Sequence, residues 1–168
     1  MSPTRTGSGT IVVRRLEAKD LEPMIALDAK ITGRRREQFF RTKVQQALAE
    51  TGVQLSLAAE VDGLFGGFVL ARVFYGEFGA PEPSAVLDTV GVRPDLAGKG
   101  VGRALLRQLC TNLRGLGVPH LDTEVGWDQQ ALLHFFHNVG FAPAPRFCLS
   151  LDLSERVPYE LEEDPNAG

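Results

Sequence analysis

The spacing of apolar positions changes several times along this chain, and each change marks an element. Ile11-Val12-Val13-Arg14-Arg15-Leu16 is a β-type run. From Asp20 to Ile31 the apolar residues Leu21, Met24, Ile25, Leu27 and Ile31 fall near one helical stripe, with Asp20 as N-cap and Pro23 in the first turn. Gly33 breaks that pattern. A second helix is predicted from Glu37 to Glu50, with Phe40, Val44, Ala47 and Leu48 on one side and Gly52 as its stop. Two β-type runs, Gln54–Val61 and Leu64–Phe74, are joined by Asp62-Gly63, a strong hairpin signal. After a Gly/Pro loop from Tyr75 to Pro83, Ala85–Val92 reads as a strand and Gly100–Leu116 as a long helix, whose Val101, Leu105, Leu109, Leu113 and Leu116 keep one face apolar. A strand at His120–Val125, a helix at Asp128–Val139 and a last strand at Phe147–Leu153 complete the pattern. The order β-α-α-β-β-β-α-β-α-β predicts a mixed α/β chain with an antiparallel hairpin half and a β-α-β half.

Length and charge narrow the class. The 168 residues suit one domain, expected over 11–153, between a ten-residue N-terminal segment and an acidic tail at 154–168. A net charge of −3 excludes a strongly basic nucleic-acid binder, so no nucleic-acid partner is expected. No window approaches the ~18 consecutive apolar residues of a membrane span, and the polar opening MSPTRTGSGT lacks a signal-type apolar stretch. A cytoplasmic protein without membrane attachment is the expectation. Cys110 and Cys148 make no metal-type spacing, so both are expected to be reduced core thiols and no metal is expected.

The chemistry concentrates in Val86–Leu106, VLDTVGVRPDLAGKGVGRALL. A strand runs into a turn containing Gly98, Gly100 and Gly102, and a helix begins almost inside the glycines. Glycines admit close backbone approach, and the first helical N–H groups form an anion site, with Lys99 and Arg103 adding positive charge. A phosphorylated ligand is the inference. The dinucleotide fingerprint G-x-G-x-x-G fails in both registers, and a P-loop lacks its Ser or Thr after Lys99. Val90-Gly91-Val92-Arg93-Pro94 followed by Gly100-Val101-Gly102 fits an acyl-CoA pyrophosphate loop.

With that loop, and with Phe136-His137-Asn138-Val139-Gly140-Phe141 at the end of the last helix, residues 11–153 resemble the GNAT superfamily of N-acetyltransferases. The resemblance implies a twisted mixed sheet of six to seven strands flanked by about four helices. It implies acetyl-CoA as cosubstrate, a small-molecule or peptide amine as acceptor, and a homodimer as the common assembly, with open strand edges such as Phe147–Leu153 available for pairing. Val90, Gly91 and Val92 would pair with the pantetheine arm. Ala97, Gly98, Lys99, Gly100, Val101, Gly102 and Arg103 would wrap the pyrophosphate, and Gln129 would contact the cofactor arm. Two departures stand out. Ala97 replaces the usual Arg or Gln of the loop, and Phe136 replaces a Tyr that protonates the departing thiolate in many members; Phe136 is expected instead to pack against the pantetheine end of the cofactor as an apolar wall. A CoA-binding module without turnover is therefore the alternative to an acetyltransferase.

Attack by an amine on a thioester needs the amine neutral, which calls for a base. Glu124 and Asp88, on the two strands expected to flank the thioester, are the candidates; each is otherwise a solvent-facing strand residue. His134 and His137 share a helix face and offer a substitute acid or plain surface. Arg34-Arg35-Arg36 offers a site for an acidic acceptor or the cofactor's 3′-phosphate, or a solvated charged loop. Phe74, Tyr75 and Phe78 offer an acceptor wall or loop anchors.

Overall fold

The computed structural model describes residues 4–6, 9–49, 55–75 and 81–154. The elements are β1 (Thr4–Thr6), β2 (Gly9–Arg15), α1 (Leu21–Thr32), α2 (Glu37–Ala49), β3 (Leu57–Val61), β4 (Leu64–Phe74), β5 (Ser84–Val92), α3 (Val101–Gly115), β6 (His120–Asp122) and α4 (Gln130–Asn138). The chain forms two compact units, divided between Gln129 and Gln130. Phe78, the expected helix stop Gly52, residues 155–168 of the acidic tail and half of the N-terminal segment lie outside the described residues.

In the first unit six strands stand in chain order, the lower end of the expected count. The pairings from β1 through β5 are antiparallel, while β5 and β6 run parallel across the α3 connection. This is the predicted hairpin half joined to a β-α-β half. Asp62 and Gly63 both have positive φ, 52° and 80°, the combination a two-residue hairpin turn requires.

Strand alternation divides the apolar residues between two layers. Phe68 and Leu70 face α1 and α2, packing with Met24, Ile25, Leu27, Phe40, Val44 and Ala47. Phe40 meets Phe68 edge-on at 5.7 Å, and Phe65 stacks on Phe68 at 6.4 Å. On the other face α3 buries Val101, Leu105, Leu109 and Leu113, one residue every fourth position. One polar cluster ties the first helix to the sheet. Asp20 is buried, accepts from the Arg14 guanidinium at 2.7 and 2.8 Å and from the Glu17 amide at 2.8 Å, while Arg14 Nε donates to Glu60 at 2.7 Å. The Asp20 hydrogen bond makes Arg14 an even firmer cation than usual. Asp20 holds the N-cap position of α1 as expected, but its carboxylate turns back to Arg14 and makes no capping hydrogen bond to the helix.

Other expectations change as well. The strand at His120 ends at Asp122, so Thr123–Val125 is not strand. Residues 147–153 form no strand: Phe147, Leu149, Leu151 and Leu153 are exposed, and no described strand pairs with them. An alternating apolar run becomes a strand only where a neighbouring edge accepts its hydrogen bonds. The last helix begins at Gln130, two residues after the expected start at Asp128. Neither thiol is fully buried: Cys110 is half-buried on α3 and Cys148 is exposed. No helix among the described residues is long and apolar enough to cross a membrane.

Close approach, rather than turn geometry, explains Gly91. A Cβ there would stand 2.6 Å from Phe68 Cε1 and 3.0 Å from Cζ, and the Phe68 ring is itself confined by Phe40 and Phe65. Gly91→Ala is expected to destabilise the first unit by roughly 1–3 kcal/mol through overpacking. Urea unfolding measures this, and Phe68→Leu in the same chain should recover part of the loss.

Candidate active site

β5 carries the site because its two edges are treated differently. Along one edge it pairs with β4 from Ser84 to Val92. Along the other it pairs with β6 only over Ser84, Ala85 and Val86. Beyond them Thr123 Oγ1 donates to the Leu87 carbonyl at 2.9 Å, and the two strands part. From Asp88 to Val92 no described strand stands across the open edge. Its backbone groups there are of the kind that template an added strand.

The ladder with β4 carries a bulge at the same place. Leu70 opposes Thr89 and Ala71 opposes Leu87, so Asp88 is the extra residue. Bulges re-aim side chains. Here the Asp88 carboxylate meets two cations: Lys43 Nζ of α2 at 2.9 Å and Arg72 Nη2 of β4, which donates at 3.2 Å. Arg72 Nε also lies 3.0 Å from Asp88 Oδ2, but at an angle that makes no hydrogen bond, and this buried nitrogen has no hydrogen-bond partner among the described residues.

At its far end β5 leads into the glycine turn. Arg93 braces it: its amide donates to Gly66 at 2.9 Å, and its guanidinium grips Asp95, holding that carboxyl below the ordinary range. Pro94–Leu96 form one 3-10 turn, with Leu96 buried. Gly98 and Gly100 then adopt φ of 73° and 87°, left-handed geometry that favours glycine. A Cβ on Gly98 would touch nothing, so the backbone conformation, not crowding, is what calls for glycine there. The first helical bond of α3 runs from the Ala104 amide to the Gly100 carbonyl. The N–H groups of Val101, Gly102 and Arg103 therefore precede the ladder and remain to be satisfied from outside it. Lys99 and Arg103 are exposed beside them. Such an arrangement binds anions.

The family model of the Acetyltransferase (GNAT) family matches residues 9–141. The chain belongs to the GNAT acetyltransferase family. A mycothiol acetyltransferase of Propionibacterium freudenreichii subsp. shermanii is 35% identical over 88 residues, 52% of this chain and 27% of that protein. The chain thus spans only about a quarter of the length of that relative. An aminoglycoside N-acetyltransferase solved with CoA has a TM-score of 0.72 at 16% identity, covering 91% of this chain and 99% of that one. A ribosomal-protein-alanine N-acetyltransferase from Brucella melitensis biovar Abortus 2308 has a TM-score of 0.67 at 19% identity, covering 84% and 98%. The last two are likenesses of fold.

In this GNAT chain the predicted residues fall in several separate places. Val90, Gly91 and Val92 lie on the open edge of β5, and Ala97–Arg103 follow directly at its end, with Val101 packed beside Gly67 and Val92. Glu124 was expected on a strand but is exposed on the coil after β6. Gln129 closes its own turn, its amide donating to the Gly126 carbonyl at 3.0 Å and its side chain accepting from the Gly126 amide at 3.3 Å. Phe136 belongs to the second unit, where it is buried with its ring 4.9 Å from Phe141 and 5.4 Å from Phe135. His134 and His137 are exposed on α4, and Tyr75 is exposed at the end of β4. Two of the three arginines of the run are used inside the helix pair: Arg36 forks onto buried Asp28, its Nε at 2.9 Å, and Arg35 bridges Glu22 and Glu37.

Lys43 and Arg72 were missed. A signal for Arg72 was present, since the alternation that turns Phe68 and Leu70 inward turns Arg72 the same way. Asp88→Asn would leave two cations facing each other over a half-buried amide. It is expected to lower stability by about 1–3 kcal/mol in chemical denaturation; unchanged stability would show that the carboxylate holds neither cation.

Proposed function

We propose that this chain transfers an acetyl group from acetyl-CoA to the amine of a small-molecule acceptor by direct attack, without a covalent enzyme intermediate. The observation that carries this reading is the open edge of β5 running from the bulge at Asp88 into the unsatisfied N–H groups at the start of α3. The names of relatives favour a small acceptor, since mycothiol and aminoglycosides are small molecules.

Acetyl-CoA supplies an activated thioester when bound. The chain's own residues do the rest. The amides of Val101, Gly102 and Arg103, helped by the charges of Lys99 and Arg103, hold the pyrophosphate. The backbone of Val90–Val92 pairs with the pantetheine arm and directs N–H groups toward the thioester carbonyl, so positioning and carbonyl polarisation lower the barrier. Ala97 contributes backbone only, which removes one side-chain contact and leaves the amide donors intact. Glu124 accepts the proton of the attacking amine; Asp88, whose oxygens already accept from Lys43 and Arg72, positions rather than abstracts. Phe136 has no proton to give. A free thiol titrates near ~8.5, so the departing thiolate can take its proton from solvent.

The second reading, a CoA-binding module without turnover, draws on Phe136 alone. A thiol-release assay with acetyl-CoA across an amine panel separates the two.

Gly100→Asp places bulk and like charge at the anion site in a left-handed position. It should abolish the thermal stabilisation that acetyl-CoA gives the unsubstituted chain, and undiminished stabilisation would remove the site assignment. Glu124→Gln should lower turnover by roughly 10²-fold or more, with partial recovery at high pH as the amine loses its proton unaided. Phe136→Tyr should change turnover by less than that. A silent Glu124→Gln beside an inactive His134→Ala or His137→Ala would transfer the proton to a histidine of α4.

A further inference from the structure

The charges around the β5 bulge bear on what the acceptor is, an argument that rests on the acetyl-transfer reading above. Along β4 the face that carries Phe68 and Leu70 in the core continues to Arg72. There the apolar layer gives way to Lys43, Arg72 and Asp88, beside the point where the β5 edge opens. Two cations share one carboxylate, a surplus of one positive charge. The neighbouring arginines of this helix pair do not add to it, because Arg36 is matched by Asp28 and Arg41 by Glu37.

The donors are also in surplus. A guanidinium has five N–H groups in a planar fork suited to a carboxylate. Arg72 donates one hydrogen bond to Asp88, and its buried Nε has no hydrogen-bond partner among the described residues. That nitrogen is buried 3.0 Å from the Asp88 carboxylate and is closed to a ligand; the spare donors are those of the two Nη groups, of which only one N–H is used by Asp88. The side chain is still 43% exposed and therefore reachable. Phe74 lies against the guanidinium at 4.9 Å and Phe39 lies 5.7 Å from Lys43 Nζ, so apolar rings border both cations and limit the water that would screen them.

We infer that the acceptor is a small amine that also bears a carboxylate, and that Arg72, assisted by Lys43, binds the carboxylate. A polycationic amine would bring further positive charge to a site that already has an excess. The likeness in fold to aminoglycoside acetyltransferases therefore does not extend to their acceptor.

The test uses alanine, glutamate and phenylalanine, each as the free acid and as its C-terminal amide, together with spermidine and kanamycin. Thiol release from acetyl-CoA should give kcat/KM at least roughly 10-fold higher for an acid than for its amide. Arg72→Gln should remove that preference by lowering the acid alone, and Lys43→Gln should reduce it. A binding readout stands beside turnover: with CoA present, N-acetylphenylalanine should raise the unfolding temperature of the unsubstituted chain more than its amide does, and Arg72→Gln should abolish the difference. Unfolding temperatures of the two variants without ligand report whether each is folded. A preference for amides or polycations, an equal loss of acid and amide in Arg72→Gln, or no stabilisation by the N-acetyl acid would overturn the inference while leaving acetyl-CoA binding in place. Failure of acetyl-CoA itself to stabilise the chain would overturn the transferase reading and this inference with it.

Discussion

The hydrogen bond from Thr123 Oγ1 to the Leu87 carbonyl marks where β6 leaves β5, and the rest of the site follows from that departure. A fully paired β5 would have no backbone to offer a ligand. An unpaired one would be a liability, because open strand edges attract other chains. The fold resolves this by keeping the open stretch short, Asp88 to Val92, and by holding β5 elsewhere: β4 along its other edge, α1 and α2 on one face, α3 on the other. Phe68 is pressed so closely to the strand that Gly91 leaves no room for a side chain.

The two ends of the open stretch have different electrostatic character. At Val92 the strand meets the turn whose amides lead α3, a place for an anion. At Asp88, four residues earlier and about 13 Å away at ~3.3 Å per residue, the bulge gathers a carboxylate and two cations. One strand thus separates a turn that leads into helix amides from a cluster of charged side chains, and both ends depend on backbone irregularities: left-handed glycines at one end, an extra residue at the other.

The end of α4 has a structural explanation independent of chemistry. Gly140 is left-handed, its amide donates to the His137 carbonyl, and the Phe141 amide donates to the Phe136 carbonyl at 3.0 Å. That is the Schellman pattern of helix termination, and the apolar contact that accompanies it is the one between Phe136 and Phe141. An aromatic residue at position 136 is therefore useful to the fold whether or not it carries a hydroxyl, so Phe136 by itself is weak support for an inactive protein.

Local patterns were legible because their causes are local. The Asp62-Gly63 turn, the four-residue stripe of α3 and the glycine turn all follow from backbone preferences or from spacing within a few residues, and each stands where the chain alone predicted it. The juxtaposition of the glycine turn with the start of α3 was readable for the same reason, since a helix start and its glycines are neighbours in the chain. What depended on distant partners was not. Whether Phe147–Leu153 or Thr123–Val125 becomes strand is decided by the edge available to pair with, and no spacing records that. Asp20 stands at the N-cap the chain predicted, but that its carboxylate goes to Arg14 was not readable, nor was the meeting of Asp88 with Lys43 and Arg72 at the bulge. Charged groups find partners across 45 and 16 residues of chain in that cluster, and only the tertiary structure brings them within hydrogen-bonding distance.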